Sequence, residues 1–184
     1  MPHPIRLLAA ALPLLCARPL AAQVNAVVHT ALEPRVVAPA DGERRVLPDG
    51  RHILLKVGPE NGGAAYLFLG AEDLPPGTGI PRHRHEVDEE ILIVHRGQVR
   101  FELDDSAYVA GAGSVVFLPP RTWVGVSNPG PDTATVMFVF PRGSVERCFQ
   151  FIGRAPGEAP RPRTDEERAE EQRACQMTYR SHAH

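Results

Sequence analysis

The stretch that decides the fold is HRHEVDEEILIVHRG, residues 83–97, in which two histidines precede acidic residues and an apolar run closed by glycine. Side chains two residues apart on a β-strand project to the same face, so His83 and His85 would reach one point from one strand. Glu90 follows the charged bend EVDE and begins the next apolar run, from which its carboxylate can return to that point. The stretch therefore predicts that three polar side chains meet inside a β fold.

Two imidazoles and one carboxylate form a recognised ligand set for a divalent transition metal. The set holds non-haem iron, and it also suits manganese, nickel, copper and zinc. We therefore predict that His83, His85 and Glu90 bind such a metal. The coordination positions that remain would admit water, dioxygen or a chelating substrate.

The rest of the chain alternates short apolar runs with turn signals rich in glycine and proline. β-Branched and aromatic residues fill these runs, which favours strands over buried helices. A length of 184 residues suits one domain. The pattern predicts an all-β sandwich or barrel with antiparallel pairing. The predicted strands lie at 51–57, 64–70, 90–97, 98–103, 114–120, 122–128 and 134–141.

Residues 77–97 resemble the first motif of the cupin superfamily, which is a glycine, then His-x-His, then a glutamate, then a glycine at set spacings. Gly77, the two histidines, Glu90 and Gly97 match it throughout. The second cupin motif is matched by three residues, namely Gly113, Pro119 and Asn128. The resemblance covers residues 43–141 and implies a single small barrel, a double-stranded β-helix or jelly roll, with the site inside it.

The second motif departs from the family at two positions. Arg121 stands where the family has glycine, and Val124 stands where it has the histidine that is the fourth ligand. Three interpretations stay open. The triad alone binds metal, or a histidine from elsewhere substitutes, with His52 and His29 as candidates, or the pocket holds no metal. In the last case the triad would serve an organic ligand or proton transfer.

Several other polar and aromatic residues have simpler interpretations. We expect His95 to point to the opposite face from Glu90 and Trp123 to wall the pocket beside Val124. If Glu90 pointed outward, Glu89 would be its replacement. Glu86, Asp88 and Glu89 fit a solvated turn, while His182 and His184 lie in a tail prone to fraying.

Both ends of the chain differ in character from the predicted barrel at 43–141. Residues 1–22 have the layout of a secretory signal peptide, with Arg6, an apolar run at 7–15 and small residues at 21–22. They predict export, to a periplasm or the outside, and 23–42 would form an N-terminal segment. Residues 142–184 predict a C-terminal helical extension, with one short helix near SVERCFQFIG and another beginning at Thr164.

Two cysteines, Cys148 and Cys175, lie in the predicted extension. In an oxidising compartment they can pair, which would tether the second helix to the first. Two free, partly buried thiols are the alternative, because sequence alone does not set connectivity. Both remain open.

Composition narrows the class of function. The net charge is −2, and no basic stripe with interleaved aromatic residues is present, which disfavours nucleic acid and an acidic membrane surface as partners. A small-molecule ligand or substrate is the expected partner, and a homodimer is open. The hypotheses are a metal-dependent, dioxygenase-like oxidoreductase, a non-catalytic small-molecule or metal-binding cupin, and a metal-free isomerase or epimerase.

Overall fold

The computed structural model describes residues 32–141, 144–159, 161–162 and 164–180. The predicted signal peptide at 1–22 lies outside these ranges, as do His29, His182 and His184. The boundary between residues 22 and 23 therefore stays a prediction.

Within the described residues the chain forms strands and two helices. The strands are β1 Glu43–Val46, β2 His52–Val57, β3 Phe68–Leu74, β4 Gly79–His85, β5 Glu90–Arg96, β6 Gln98–Leu103, β7 Ser106–Gly111, β8 Val115–Leu118, β9 Val124–Ser127, β10 Ala134–Phe140 and β11 Met177–Tyr179. The helices are α1 Ser144–Ile152 and α2 Asp165–Cys175. None of the helices found in these ranges is both long and apolar enough to cross a membrane.

Two antiparallel sheets face each other across the core. One sheet has the order β1-β2-β3-β10-β5-β8, and the other has β11-β4-β9-β6-β7. The predicted all-β jelly roll, a double-stranded β-helix with a C-terminal helical extension, is confirmed. The sheet order shows that the extension also contributes an edge strand, β11, to the barrel.

The core is built largely by alternation along β3, β5 and β10. In β10, ATVMFVF, every second residue is buried, from Ala134 to Phe140. Because side chains on a strand alternate between the two faces, the apolar residues at these positions pack between the sheets. Phe68 of β3 contacts Phe138 and Phe140 through its ring, with centroids 5.7 and 6.3 Å away.

The strand predicted at 64–70 was placed too early in the sequence. The observed β3 pairs with β10 from Phe68 opposite Phe140 to Leu74 opposite Ala134. Tyr66 and Leu67 precede it and are exposed. The register explains the shift, because only a strand that begins at Phe68 pairs along the whole of β10.

The C-terminal extension contains the two helices that were predicted. The backbone N–H of Glu167 donates to Thr164 Oγ1, and that of Thr164 donates to the Glu167 carboxylate, which is a complete capping box. Cys148 of α1 and Cys175 of α2 form a disulfide. Cys175 is the last residue of α2, and β11 begins two residues later at Met177. The sequence did not predict this strand.

Candidate metal centre

A bulge in β4 sets the direction of the two histidines. Ile80 pairs with Val126 of β9, but the next pair joins His83 to Val124, so β4 has one extra residue between these points. The extra residue shifts the alternation, and Ile80, His83 and His85 all line the same cavity. Pro81, which cannot donate to a ladder, lies in the bulge.

Glu90 comes from the opposite sheet. It begins β5, pairs with Leu118 of β8 and is buried with 6% of its surface exposed. His83 and His85 are buried as well, with 8% and 6% exposed. One ligand atom from each of the three residues lies within 4.8 Å of the others. The triad therefore lies between the two sheets, inside the barrel.

The hydrogen bond of His83 fixes which nitrogen can bind an ion. Its Nδ1 lies 2.8 Å from the carbonyl oxygen of Pro81, which can only accept. A neutral imidazole that donates from Nδ1 keeps a free lone pair on Nε2. Ligating histidines are usually held by such a bond to a carbonyl. His83 is thus prepared as an Nε2 ligand.

Burial keeps the His83 ring neutral. It lowers the pKa of His83, and the neighbouring His85 lowers it further. Neutral imidazole is the form that binds a metal. The ring of His85 packs edge-on against Phe140, with centroids 4.8 Å apart, which holds its plane.

The polar atoms of the triad fit a bound divalent ion. His85 Nδ1 and Glu90 Oε2 are buried and have no hydrogen-bond partner within the described residues. His85 Nε2 and Glu90 Oε2 are 3.5 Å apart. Buried polar atoms normally have partners, and a cation shared by imidazole and carboxylate would supply one to the Glu90 oxygen.

The cavity beside the triad is small and has mostly apolar walls. Its volume is about 30 Å³. The apolar part of the wall consists of Ile80, Leu92, Val126, Phe138, Phe140, Phe149 and Met177. An apolar wall of this kind excludes water from the polar groups.

Val124 and Trp123, which were predicted to form this wall, do not line the cavity. Val124 is 1% exposed, belongs to the hydrophobic core and pairs with His83 across the ladder. Trp123 precedes β9, where Arg84 and Arg180 lie over its ring at 4.9 and 5.2 Å. Arg84 belongs to β4 and Arg180 follows β11. Trp123 therefore contacts side chains from both of these neighbouring strands, outside the cavity.

An ion pair that sequence reasoning missed lies at the same cavity. Nη1 of Arg51 donates to both carboxylate oxygens of Glu72, at 2.9 and 3.1 Å. Burial raises the pKa of Glu72 to about 7, against the lowering effect of Arg51. The sequence did contain a signal for Glu72. This residue is two positions from Leu74, and residues two apart on a strand share a face, so Glu72 lies on the inward face of β3. An acidic residue at an inward position is a candidate functional residue.

The C-terminal strand β11 is a second feature that the sequence did not reveal. Met177 pairs with His85 and Tyr179 pairs with His83, so the strand runs beside the one that holds both histidines. Both residues line the cavity, and the Tyr179 ring lies 5.8 Å from that of His83. Although about half of the Tyr179 surface is exposed (51%), partial desolvation raises the pKa of its phenol. No local sequence signal marks a strand of three residues that pairs over so long a range.

The other predicted positions are distributed as follows. His52 is exposed at the start of β2 and does not line the cavity, so the suggestion that it replaces the missing ligand is wrong. His95 is exposed and faces away from Glu90, as expected. Glu89 is exposed and is not needed in place of Glu90.

The acidic bend is less solvated than predicted. Asp88 is buried. Glu86 accepts hydrogen bonds from the Thr178 hydroxyl, the Arg84 guanidinium and the Arg121 guanidinium. These contacts, that of Thr178 most of all, hold the pKa of Glu86 well below its usual range. Glu86 thus fastens β11 to the end of β4.

Comparison with known proteins agrees with this architecture. Residues 70–140 match the family model described as "Cupin domain". Residues 70–140 are thus similar to the cupin domain, in agreement with the barrel and with the first motif. A search of the curated proteins found no match.

Solved structures with the same fold come from several classes of protein. One from Thermotoga maritima, described as a predicted oxalate decarboxylase, has a TM-score of 0.52 and 20% identity, and the alignment covers 59% of this chain and 99% of that one. The polyketide cyclase RemF from Streptomyces resistomycificus has a TM-score of 0.52 and 20% identity, covering 59% and 80%. KdgF from Halomonas sp. has a TM-score of 0.51 and 17% identity, covering 60% and 96%. At these identities the likeness concerns the fold alone.

Proposed function

We propose that the protein is a metal-dependent cupin oxidoreductase, dioxygenase-like, that acts on a small organic substrate. The observation that carries the proposal is the convergence of His83, His85 and Glu90 within 4.8 Å in a buried cavity. A bound divalent ion would supply Lewis acidity and a binding position for oxygen atoms. Iron, manganese, nickel, copper and zinc all suit these ligands.

The residues of the chain have separate tasks in this proposal. His83 presents Nε2 because Nδ1 is bound to the Pro81 carbonyl. Glu90 supplies the negative charge from the opposite sheet, and Phe140 holds the ring of His85. The apolar wall keeps water away from the bound groups, which strengthens every electrostatic contact in the cavity.

Metal analysis tests the proposal directly. We expect about one transition ion per chain after the protein is loaded, and we expect His83→Ala or Glu90→Gln to remove it. His95→Ala is the matched control, since His95 is exposed on β5, the strand that begins with Glu90. If the wild type binds none of the five metals, or if the His95 variant loses as much metal as His83→Ala, the proposal is wrong.

A metal-free isomerase or epimerase is a second candidate, and one observation favours it. Val124 stands where the family has its fourth ligand, and an isopropyl group cannot coordinate metal. The triad would then act on an organic ligand, with a histidine as the proton acceptor. If the refolded protein holds no metal but still binds its ligand, the metal-free candidate is favoured.

A binding protein without turnover is distinguished by a separate measurement. Oxygen consumption with catechol, flavonol or thiol substrates would indicate the oxidoreductase.

We also propose that the protein is exported. The support is the layout of residues 1–22 and the disulfide between Cys148 and Cys175, a bond that persists in oxidising compartments. The test is the mass of the protein recovered from outside the cytoplasm. A chain that begins after Ala22 agrees with export, and a full-length chain in the cytoplasm contradicts it.

A further inference from the structure

The cavity beside the triad is too small to hold an organic substrate. Its volume is only about 30 Å³. Pockets that hold small organic ligands measure roughly 300–1,000 Å³. A substrate of the proposed enzyme therefore needs an adjoining space.

Such a space lies between the barrel and the C-terminal extension. A groove of about 540 Å³ is lined on the barrel side by Leu47, Pro48 and Pro81 and on the extension side by Ile152 and Met177. It shares Arg51, Met177 and Tyr179 with the metal cavity. The groove therefore adjoins the metal cavity across these three side chains, and it has the volume of a small-molecule site.

The groove changes in chemistry along its length. The five residues just named give it apolar walls. At the end next to the cavity, Arg51 and Tyr179 offer polar groups instead. A ligand that fits both parts has an apolar body and one polar end.

The polar end of the groove favours an oxygen acceptor. Arg51 uses Nη1 for Glu72 and Nε for Asp49, and no hydrogen bond among the described residues uses Nη2. The Tyr179 phenol, like that of any tyrosine, is protonated at neutral pH and can donate. A guanidinium, a phenol and a divalent ion all prefer an anionic oxygen.

We propose that this groove binds a small apolar carboxylic acid, with the carboxylate directed past Arg51 and Tyr179 toward the triad and the apolar body between the barrel and the extension. This inference depends on the proposed function in one respect, the presence of a metal ion at the triad. The groove, Arg51 and Tyr179 are present without it. Asp49 and Glu171 also line the groove, as do Arg51 and Arg168.

Phenylacetate is a suitable probe, and calorimetry or ligand-detected NMR on the zinc-loaded full chain measures its binding. We expect it to bind more tightly than phenylacetamide, which lacks the charge, and than acetate, which lacks the apolar body. Met177→Trp and Pro48→Trp, which fill the groove from opposite sides, should each weaken binding by about tenfold. Pro48 is exposed, so its substitution leaves the core intact.

Two further variants separate the polar contact from general damage. Tyr179→Phe keeps the ring, removes the donor and should weaken phenylacetate about fivefold while leaving phenylacetamide nearly unchanged. Thr178→Ser is the matched control, because Thr178 lies between the two groove residues of β11 and bonds to Glu86 instead. It should leave binding of both probes unchanged.

The experiment also distinguishes this inference from the proposed function. In the manganese-loaded protein, the methylene protons of phenylacetate should broaden more than the para proton. If no metal binds but the groove variants still weaken phenylacetate, the proposed function fails and the groove stands. Equal binding of phenylacetate and phenylacetamide, or no effect of both tryptophan variants, overturns the groove.

Discussion

At the scale of the residue, the ion pair between Glu72 and Arg51 makes the stability of the fold depend on pH. The carboxylate is 3% exposed and lies at the cavity that contains the metal triad. Its desolvation outweighs the attraction of Arg51, which is why the pKa rises and does not fall. A buried pair of this kind costs stability when one partner is lost.

The raised pKa of Glu72 predicts how stability varies with pH. The unfolded chain releases this proton near pH 4.5, but the folded protein holds it to about pH 7. Across that window the folded state binds more protons, so the free energy of unfolding falls as pH rises, by at most a few kcal/mol. The free energy of unfolding of the wild type minus that of Glu72→Gln, both measured by denaturant unfolding of the metal-free protein, should fall from about pH 5 to about pH 8.

His83 acts in the opposite direction and must be separated from Glu72. Its pKa is lowered in the folded state, so its contribution is lost as pH falls below 6.5. Because wild type and Glu72→Gln both retain His83, their difference removes this effect. Glu89→Gln, at an exposed position, is the control. A difference between wild type and Glu72→Gln that does not change with pH would contradict the prediction.

Replacing Val124 by histidine tests the missing fourth ligand. Val124 pairs with His83 on the neighbouring strand, so an imidazole there would lie beside the triad. We expect Val124→His to tighten metal binding by at least about tenfold, in line with an added ligand. Val124→Leu is the control for volume, and competition with a chelator gives the affinity. Unchanged affinity in Val124→His would mean that this position does not face the ion.

Two positions of the second motif, Arg121 and Asn128, serve the backbone and not metal binding. Arg121 occupies the glycine position and adopts φ +70°, the left-handed region that glycine tolerates best. The side chain of Asn128, at a matched position, donates to the carbonyls of Leu74 and Asp132. The motif thus marks backbone requirements that survive even where the ligand histidine is lost.

At the scale of the element, β11 forms one wall of the metal cavity through Met177 and Tyr179, and the disulfide holds the helix that leads into this strand. Cys175 ends α2, and the next strand begins at Met177. Backbone bonds from Glu86 to Gln176 and from Arg180 to Arg82 fasten β11 to β4. A break in the bridge would free the helix that leads into this strand.

We therefore expect the bridge to control how fast metal leaves. It joins cysteines 27 residues apart, and the loss of such a bond costs about 3 to 4 kcal/mol in the chain-entropy model. Reduction, or the double substitution Cys148→Ser and Cys175→Ser, should speed extraction of zinc by a chelator several-fold. The reductant should have no effect on the double variant. Equal extraction rates in oxidised and reduced wild type would contradict this prediction.

The sequence predicted some elements well and others not at all, for physical reasons. Strands with long apolar alternation, such as β5 and β10, were found because the period is visible locally. The triad was found because its three members are close in sequence. Arg51, Glu72 and Tyr179 were missed as a group, since only the pairing of β2, β3 and β11 within their sheets brings them to one cavity.

At the scale of the whole molecule, the outer faces of the two sheets differ. Outward residues of β4 and β6 are charged, among them Arg84 and Arg100. The outer face of the six-stranded sheet is instead apolar over four neighbouring strands. One register row holds Leu69, Val139, Ile91 and Phe117, and the next holds Ala71, Met137, Ile93 and Val115. Three of these eight side chains, those of Ile91, Val115 and Phe117, are exposed, and exposed apolar surface commonly marks a contact between proteins.

We expect this face to pair with a second copy of the chain. Phe117 is 57% exposed and Val115 is 62% exposed. Phe117→Lys should shift the protein to the monomer in sedimentation velocity or in light scattering after gel filtration. Tyr108→Lys, on the edge strand β7 of the other sheet, is the control and should not. A wild type that is already monomeric at high concentration would contradict the prediction.

The origin of the ligands on opposite sheets has a thermal consequence. The two imidazoles belong to β4 in one sheet, and the carboxylate belongs to β5 in the other. Occupancy by an ion would cross-link the two halves of the sandwich and would stabilise only the folded state, by about 4 kcal/mol at a thousandfold excess over Kd. The melting temperature should then rise with the concentration of free metal, and amide hydrogens of β4 and β5 should exchange more slowly. The resistance of the protein to heat would therefore report how much of its metal site is occupied.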